Sequence, residues 1–596
     1  RIEVVPLAGA EFAADSRGGV ILITLRRRRD GGMDGNLQFS TVQSNRIAGY
    51  TPTGRIGIRT GRWTLTASGS GSFTPVAESR FTETREQAGQ PLPFAGRSDS
   101  KSRTNYGRGH FSAVFDPTPK HTAGFDVEYT ERSTHMPTLS RTTLGQTQSD
   151  SRYRQHMDGN TLTATANYIW KIDTLGSQFK LIADYTRYTS HGDNSYHTTT
   201  CAPGTLRDSL YESATGSVYD ILTADAGLTR KLPHGLTLRA GLRYTRNDMA
   251  DKSRYAAQTQ GTWLALPEYS YDQHYTEQIG AAYASLEYSA GRWELSAGLR
   301  GEYTSVASQA FGRSYFGLFP NVSVSRALNA LRTWLLVAQW SRNIERPAFP
   351  ALNPARIRIS DYSWQSGNPS LRPTYIHRFS LTAVWKYRYT LTVGGNLHHD
   401  LIREIAHRDA TAPDAVYIRP ENHYTENHWF VAASVPAKIT RWWNLSVNAV
   451  GVMQRIRLNS TDSPATHYLM FADATCSFTL PAGFFAEAVY RAQSRLYSGN
   501  SEVGPRHTLQ ATVKKQLFGK RLTLFCTLSN ITGCDWEFAS LTDGMRRTID
   551  TRQAWSGRLW KVGAAWNFRT GNKFRARTVE SAAETQRKRL VKSTEQ

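Results

Sequence analysis

The sequence predicts an all-β fold, a transmembrane antiparallel β-barrel of about 22 strands, and three observations carry this prediction. Apolar and polar residues alternate with a period of two along most of the chain. Short turns join the strands at one end, and longer polar loops join them at the other. Tryptophans recur beside the short turns. These features are typical of strands that face lipid on one side and a polar lumen on the other.

Two hairpins with nearly the same sequence illustrate the repeat. Residues 59–69 read RTGRWTLTASG, and residues 289–298 read SAGRWELSAG. The predicted short turns lie near Gly61, Pro117, Asp173, Pro233, Gly291, Asn329, Tyr387, Thr440, Pro481 and Gly519. These turns join twenty strands, and an opening strand at 35–43 and a closing strand at 555–568 complete the set. The total of about 22 is even, as single-chain bacterial barrels require.

The tryptophans orient the barrel. The six that lie beside short turns are Trp63, Trp170, Trp293, Trp334, Trp385 and Trp442. Because tryptophan favours the membrane–water interface, they predict a girdle at the turn side, which we expect to face the periplasm. A soluble all-β stack would also alternate, but it would need neither this belt nor so many strands with one consistent short-turn side.

Composition excludes other classes of protein. Only 39% of the residues are hydrophobic, and no stretch approaches the roughly 18 consecutive apolar residues of a membrane helix. The net charge of +23 comes from basic residues scattered through turns, loops and the lumen face. Because no nucleic-acid-binding motif accompanies them, basic loops beside lipid phosphates explain the charge better than nucleic-acid binding does. The four cysteines have no metal-ligand spacing.

Two segments flank the predicted barrel, which spans residues 31–569. Residues 1–30 contain an apolar run at 20–25, predicted as a buried strand, and then four arginines at 26–29, predicted as a solvated linker. Residues 570–596 form a basic tail, which we expect to be a short helix or disordered on the periplasmic side, with the basic run 587–589 in solvent. The chain begins at Arg1 without a signal peptide, so we expect a longer precursor.

Three stretches carry a resemblance to a known family. They are residues 1–6, 10–12 and 18–23 (RIEVVP, AEF, GGVILI); residues 351–354 and 366–373 (ALNP, SGNPSLRP); and residues 524–531 and 560–568 (LFCTLSNI, WKVGAAWNF). The chain resembles the TonB-dependent outer-membrane receptors of the Bacteroidetes type, in the outer-membrane β-barrel branch. The stretches look like the end of that family's plug domain, its mid-barrel loop and its last strands.

The resemblance implies a 22-stranded barrel with a plug inside it, powered by the inner-membrane TonB complex. Only the end of the plug is present, so we expect the TonB box and the rest of the plug upstream of Arg1. The leading hypothesis is therefore a receptor that imports a siderophore, cobalamin, oligosaccharide or peptide, in some relatives with a surface lipoprotein as a lid. A passive pore or a surface-adhesion barrel with a plug remnant is the alternative that the sequence leaves open. No enzyme motif or cofactor site is recognisable.

Two sets of residues are candidate ligand contacts. Arg239, Arg243, Arg300 and Glu302 alternate toward the lumen of predicted strands, where charged residues tune selectivity. Because lumen faces are polar by construction, the favoured interpretation is that they solvate the lumen or hold the plug through ion pairs. The long loop at 342–372 carries Phe349, Tyr362 and Trp364, whose rings could stack on a flat ligand. Its Asn-Pro steps would suit any barrel loop equally well, and the sequence does not decide.

A histidine group invites a metal interpretation that its spacing does not support. His398 and His399 are adjacent on a predicted strand and therefore point to opposite faces. Neither they nor His407 is joined by a cysteine or carboxylate in a known ligand spacing. We predict no metal site.

Overall fold

Twenty-two antiparallel strands close into a barrel in the computed structural model. The structure describes residues 2–5, 10–15, 20–23, 31–87, 89–309, 312–354, 356–410, 412, 414–571 and 579–590. The barrel strands are β1 (Gly32–Gln43), β2 (Ile47–Thr60), β3 (Trp63–Gln87), β4 (Gln90–Phe115), β5 (His121–Leu144), β6 (Thr147–Lys171), β7 (Gln178–Ala202), β8 (Thr205–Lys231), β9 (Leu236–Thr259), β10 (Tyr271–Ala290), β11 (Trp293–Ser308), β12 (Gly312–Ala327), β13 (Trp334–Glu345), β14 (Thr374–Trp385), β15 (Tyr389–Arg408), β16 (Val416–Lys438), β17 (Trp443–Arg457), β18 (Ala465–Thr479), β19 (Phe484–Gln493), β20 (Arg506–Leu517), β21 (Leu522–Ser529) and β22 (Leu559–Gly571).

Closure joins the first barrel strand to the last. Strand β1 pairs with β22 from Gly32 and Gly571 to Gln43 and Trp560, so the sheet has no free edge within the membrane. The fold class, the strand number and the ten short turns predicted from the sequence are confirmed. In the turn between β14 and β15, both Lys386 and Tyr387 have positive φ angles, the conformation that tight hairpins favour.

The outer face shows a lipid-facing band bounded by aromatic residues. On β11, the outward residues run from Trp293 through Leu295 and Leu299 to Tyr303, all between 39% and 54% exposed. Ten residues of a strand tilted by about 40° rise about 26 Å, close to the roughly 25 Å apolar band of outer-membrane barrels. Trp293 lies beside a short turn, so we assign the turn end to the periplasm and the loop end to the outside.

The wall of the barrel is taller on one side. Strands β3–β9 each contain 24 to 27 residues. A membrane crossing takes about 9–11 residues, so these strands project beyond the membrane by roughly 35–40 Å. Strands β17–β22 have only 8 to 15 residues. The long hairpins therefore form an extracellular wall that rises on one side of the opening.

Shorter elements complete the described part of the chain. The short strands are Ile2–Val5, Val20–Ile23, Thr262–Ala265, Ile357–Ser360, Ser363–Gln365, Leu496–Ser498, Ser501–Val503, Trp536–Thr542 and Met545–Arg552. The helices are α1 (Phe349–Leu352), α2 (Glu584–Lys588) and the 3-10 turns Pro233–Gly235, Pro267–Tyr269 and Pro481–Gly483. The first two short strands pair antiparallel with each other. No helix in the described ranges is both long and apolar enough to cross a membrane.

Three segments lie inside the bore, which is about 44 Å wide from backbone to backbone by strand number, spacing and tilt. They are residues 10–15, residues 579–590 and the loop between β13 and β14. The loop was expected outside the barrel, but it folds inward because its apolar residues Phe349, Leu352 and Leu371 pack against the inner wall. Residues 579–590 differ from the predicted periplasmic tail because their contacts are with inward-facing residues such as Asp184, Asn247 and Glu277. The four arginines at 26–29 lie outside the described residues.

The depth of the lipid band can be tested with one arginine at two heights. We expect Leu299→Arg, near the middle of the band, to lower the free energy of unfolding by about 2–4 kcal/mol, because the charge is forced into hydrocarbon. The control Leu295→Arg is on the same face of the same strand but near the interface, where the cost is about 0–1 kcal/mol. The measurement is denaturant-induced unfolding from lipid vesicles. Equal costs at the two positions would contradict the assigned band.

Candidate functional site

The loop between β13 and β14, residues 346–373, crosses the bore, and we call it the strap. Its two halves are fastened to each other near the barrel wall. The Gly367 amide donates to the Asn353 carbonyl at 2.9 Å, and the Asn368 amide donates to the Ala351 carbonyl at 2.7 Å. A side chain at Gly367 would collide with the Asn353 carbonyl, so glycine is required there. The ALNP and SGNP stretches of the sequence therefore form one clasp.

The underside of the strap is apolar and packs against the inner wall. Its buried residues are Phe349, Leu352 and Leu371. The wall residues around them are Tyr219, Ile221, Met249, Tyr275 and Val306, from β8 to β11. An apolar cluster is unusual inside a polar lumen. Burial of each apolar side chain contributes roughly 1.5–3 kcal/mol to the stability of the folded protein. This cluster therefore holds the base of the strap inside the bore.

The tip of the strap is held by a carboxylate at Asp361. Its oxygens accept hydrogen bonds from the Ser151 hydroxyl and the Tyr153 hydroxyl, both at 2.7 Å, and from Arg358 at 2.7 Å. The side chain of Asp361 is only 5% exposed. Burial and the Asp361 carboxylate raise the pKa of the Tyr153 phenol, so this hydroxyl stays protonated and donates. The tip is thus bound to the extracellular extension of β6.

A second anchor lies at β3, three strands along the ring from the first anchor. Ser363 accepts a hydrogen bond from Arg547 at 3.0 Å, and Arg547 pairs with Glu83 at 2.8 Å. Burial alone would raise the pKa of Glu83, but Arg547 and Arg85 outweigh burial and lower it, so this carboxylate remains charged.

The next strap residue toward the tip extends this contact. The Tyr362 ring meets Phe94 of β4 edge-on, with centroids 5.8 Å apart. Strand β4 is nine places along the ring of 22 from β13, where the strap begins. The strap therefore spans the opening rather than lining one side of it.

Above the strap, toward the outside, is a pocket of about 390 Å³ that we call the vestibule pocket. It is lined by Tyr269, Ser270, Tyr271, Pro354, Arg356, Trp364, Ser366, Asp409 and Tyr417. The Arg356 guanidinium lies 3.8 Å from the centre of the Trp364 ring and 3.3 Å from the Asp409 carboxylate. Its volume falls within the roughly 300–1,000 Å³ of small-molecule sites, and aromatic walls with one ion pair suit an organic ligand that carries polar groups.

The three aromatic residues predicted as loop contacts take different positions. Trp364 lines the vestibule pocket. Tyr362 contacts Phe94 beside the second anchor. Phe349 is 1% exposed and belongs to the apolar underside. Of the three, Trp364 is the one that lines the vestibule pocket, and Phe349 is out of reach of a ligand while the strap lies in this position.

Two of the predicted lumen residues hold the N-terminal segment from β9. Arg239 pairs with Glu287 and also lies 3.9 Å from the Glu11 carboxylate. Arg243 donates to Asp225 at 2.7 Å and to the Glu11 carbonyl at 3.3 Å. These contacts connect the inner face of β9 to residues 10–15.

The other two predicted lumen residues form a buried ionic centre on β11. Glu302 accepts from Arg300 at 2.6 Å, from Arg346 of the strap at 2.7 Å and from the Ala14 amide at 3.3 Å. Arg346 also lies 3.9 Å from Asp15. Glu302 thus joins the wall, the strap and residues 10–15, and all four predicted residues have partners within the protein.

The histidines do not form a metal centre in the described ranges, where no group of three or more His, Cys, Asp or Glu side chains could hold a metal ion. The His398 ring packs against His428 with centroids 5.0 Å apart. His399 is mostly exposed beside Asp400, and His407 contacts Glu421 at 3.1 Å.

Sequence reasoning missed the residues that build the strap's anchors. Asp361 lies 210 positions from Ser151, and no local pattern links the two. The alternation of Arg356, Ile357, Arg358 and Ile359 was a usable signal, because it marks the short strand Ile357–Ser360 within the loop.

The chain has recognisable relatives by sequence pattern and by structure. Residues 170–566 match the model of the outer membrane protein beta-barrel family. No curated protein matches the sequence.

Solved structures with the same fold include siderophore receptors and a copper transporter. The copper transporter OprC is 12% identical, with a TM-score of 0.61 and coverage of 95% of this chain and 85% of that one. The ferric enterobactin receptor PfeA (Q482A mutant) of Pseudomonas aeruginosa, in complex with enterobactin, is 15% identical, with a TM-score of 0.59 and coverage of 95% and 86%. The siderophore receptor PirA of Pseudomonas aeruginosa is 13% identical, with a TM-score of 0.56 and coverage of 95% and 86%. At these identities the likeness establishes a TonB-dependent receptor type of barrel as the fold.

The tip anchor can be tested by removing one charge. We expect Asp361→Asn to lower the free energy of local opening at the strap tip by about 1–3 kcal/mol, because Arg358 loses its buried counter-ion while the side-chain shape is kept. The amides of Ser363–Gln365, which pair with β16, should then exchange with solvent about 5- to 100-fold faster, as hydrogen-exchange mass spectrometry would show. The control is Asp400→Asn. Its partner Arg372 is mostly exposed, so we expect the free energy of local opening to change by no more than about 1 kcal/mol. Unchanged exchange in Asp361→Asn would contradict the anchor.

Proposed function

Because the chain belongs to the outer membrane protein beta-barrel family, we propose that it is the transport barrel of a TonB-dependent receptor. It captures a nutrient at the extracellular opening and passes it into the periplasm. A siderophore, cobalamin, an oligosaccharide and a peptide are the candidate nutrients. TonB would act through sequence upstream of Arg1, and a surface lipoprotein is a further candidate partner.

One observation carries this proposal. The bore is crossed by an ordered strap that is fastened to the wall at its base, at Asp361 and at Ser363. A passive 22-strand pore would need an open water-filled path, whereas a crossed bore needs a step that moves the obstruction. An energised receptor supplies such a step. The solved structures with this fold are described as siderophore receptors and a copper transporter, which supports transport as the class of function.

Capture is assigned to the vestibule pocket. It lies on the outer side of the strap, and it combines the rings of Trp364, Tyr269 and Tyr417 with the Arg356–Asp409 ion pair. A ligand with a flat or apolar face and polar edges would pack on the rings and compete for the guanidinium. Since Arg356 belongs to the strap, a bound ligand would also contact the element that crosses the passage.

The dependence on TonB separates this function from a passive pore. We expect cells that carry the full-length protein to grow on at least one of a panel of ferric siderophores, cobalamin, oligosaccharides and peptides supplied as the limiting nutrient. We expect that growth to be lost in a tonB deletion, because the strap crosses the bore and must move before a nutrient can pass. The measurement is growth together with uptake of the labelled nutrient. Uptake that continues unchanged without TonB would establish the passive-pore alternative.

The capture site can be tested once a nutrient is found in that panel. We expect Trp364→Ala to weaken its binding roughly 10- to 100-fold, as loss of a central aromatic contact does. The matched control is Trp263→Ala, which removes an exposed tryptophan that does not line the pocket, although it lies on the same β9–β10 connection as Tyr269. Affinity is measured by calorimetry on the purified protein. Equal effects of the two substitutions would place capture elsewhere on the extracellular face.

A further inference from the structure

Residues 579–590 run up the inside of the barrel from its periplasmic end. The last barrel strand ends at Gly571, beside Gly32 and the short-turn end. Inside the bore, Glu580 pairs with Lys180 near the start of β7, and the Ala582 amide donates to Asp184 at 2.8 Å. Each contact residue on the wall lies on an inward face. This segment therefore occupies the lumen in a defined register.

The upper half of the segment is more tightly held than the lower half. Asn247 of β9 donates to Gln586 at 3.2 Å, and Gln586 in turn lies 3.3 Å from Asp15. Gln586 is 4% exposed and Ala583 is fully buried. The C-terminal and N-terminal segments thus meet halfway up the bore.

Arg589 connects the segment to both the wall and the strap. Its guanidinium donates to Glu277 of β10 at 2.5 Å and to the Pro347 carbonyl of the strap at 3.0 Å. It also lies 4.3 Å from the centre of the Phe349 ring. The Phe349 amide donates to the Arg589 carbonyl at 2.8 Å, so the backbone of the strap is held as well.

The neighbouring residue shows that this docking depends on position rather than on charge alone. The Lys588 side chain is 62% exposed and pairs only with Glu584, one helical turn away, among the contacts the structure describes. The Arg589 and Glu277 side chains are 6% and 2% exposed. A buried carboxylate that loses its cation is strongly unfavourable, so Glu277 selects a cation at the place where the strap begins.

We propose that residues 579–590 are a latch, an internal segment that enters from the periplasmic side and fixes the strap across the bore. The surface that receives it consists of Asp184, Asn247 and Glu277 on the wall together with Pro347 and Phe349 of the strap. When the latch leaves this surface, the strap loses its support from below, and the passage widens. The latch therefore places control of the strap at the periplasmic end, independently of which nutrient is carried.

The first experiment measures conductance of the full-length protein in planar lipid bilayers. We expect Arg589→Gln to increase the frequency of channel openings roughly tenfold or more, because a buried ion pair is broken. The control Lys588→Gln should behave as the unaltered protein. The double variant Glu277→Arg with Arg589→Glu should restore the low opening frequency, which a general folding defect would not do. Openings that are equally rare in Arg589→Gln would overturn the proposal.

The second experiment tests occupancy directly and does not depend on Arg589. Asn247→Cys and Gln586→Cys are introduced into the full-length protein after the four native cysteines are replaced by serine. A short bis-methanethiosulfonate reagent is applied to outer membranes. We expect a cross-link between the two positions and an opening frequency that rises when a reductant cleaves it. Failure to cross-link would show that the segment does not dock in the native protein, and a cleavable link without any effect on openings would show that docking does not control the strap.

Discussion

The absence of water in the bilayer core is the constraint on which the rest of this structure depends. Every backbone amide and carbonyl there needs a partner within the protein, and pairing of β1 with β22 supplies the last of them. Closure with 22 strands then makes a bore about 44 Å wide. Because alternate side chains point outward to lipid, the others must face this bore, and they are polar. A wide polar interior leaves room for segments of the same chain, and the strap, residues 10–15 and residues 579–590 occupy it.

Two buried carboxylates determine where those segments lie. Glu302 joins the wall to Arg346 at the start of the strap, and Glu277 joins the wall to Arg589 beside Phe349. A buried ion pair contributes little net stability, because desolvation offsets most of its attraction. Its absence would be costly, however, since a charge would remain buried without a partner. Such pairs therefore specify position more than they add stability, and both of these pairs specify the position of the strap relative to the wall.

The sequence predicted the elements whose signals are local. Each short turn lies within a few residues of the strands it joins, so alternation and turn residues such as Gly61 and Gly291 suffice to place it. Two interior segments, the strap and residues 579–590, were placed wrongly, because polarity was taken to mean solvent. In a barrel with a polar lumen, a charged residue such as Arg589 is as well accommodated inside as outside. The same limit applies to Phe349 and Trp364, which are both aromatic residues of one loop. One is buried and the other lines the pocket. Contacts with residues distant in the sequence decide which, such as Tyr219 for Phe349 and Tyr417 for Trp364.

The strap gives the two sides of the barrel a physical means of affecting each other. Arg356 and Trp364 line the pocket on its outer side, and Phe349 packs on Arg589 on its inner side. The clasp between Asn353 and Gly367 fastens these parts together, so the strap moves as a unit or the clasp must break. A ligand that binds more tightly when the strap is displaced must, by thermodynamic reciprocity, make displacement easier by the same factor. Release of the inner contacts must equally change the affinity of the pocket. Ligand binding in the vestibule pocket and release of the Arg589 contacts are then two measurements of one coupling free energy, and the strap carries that coupling.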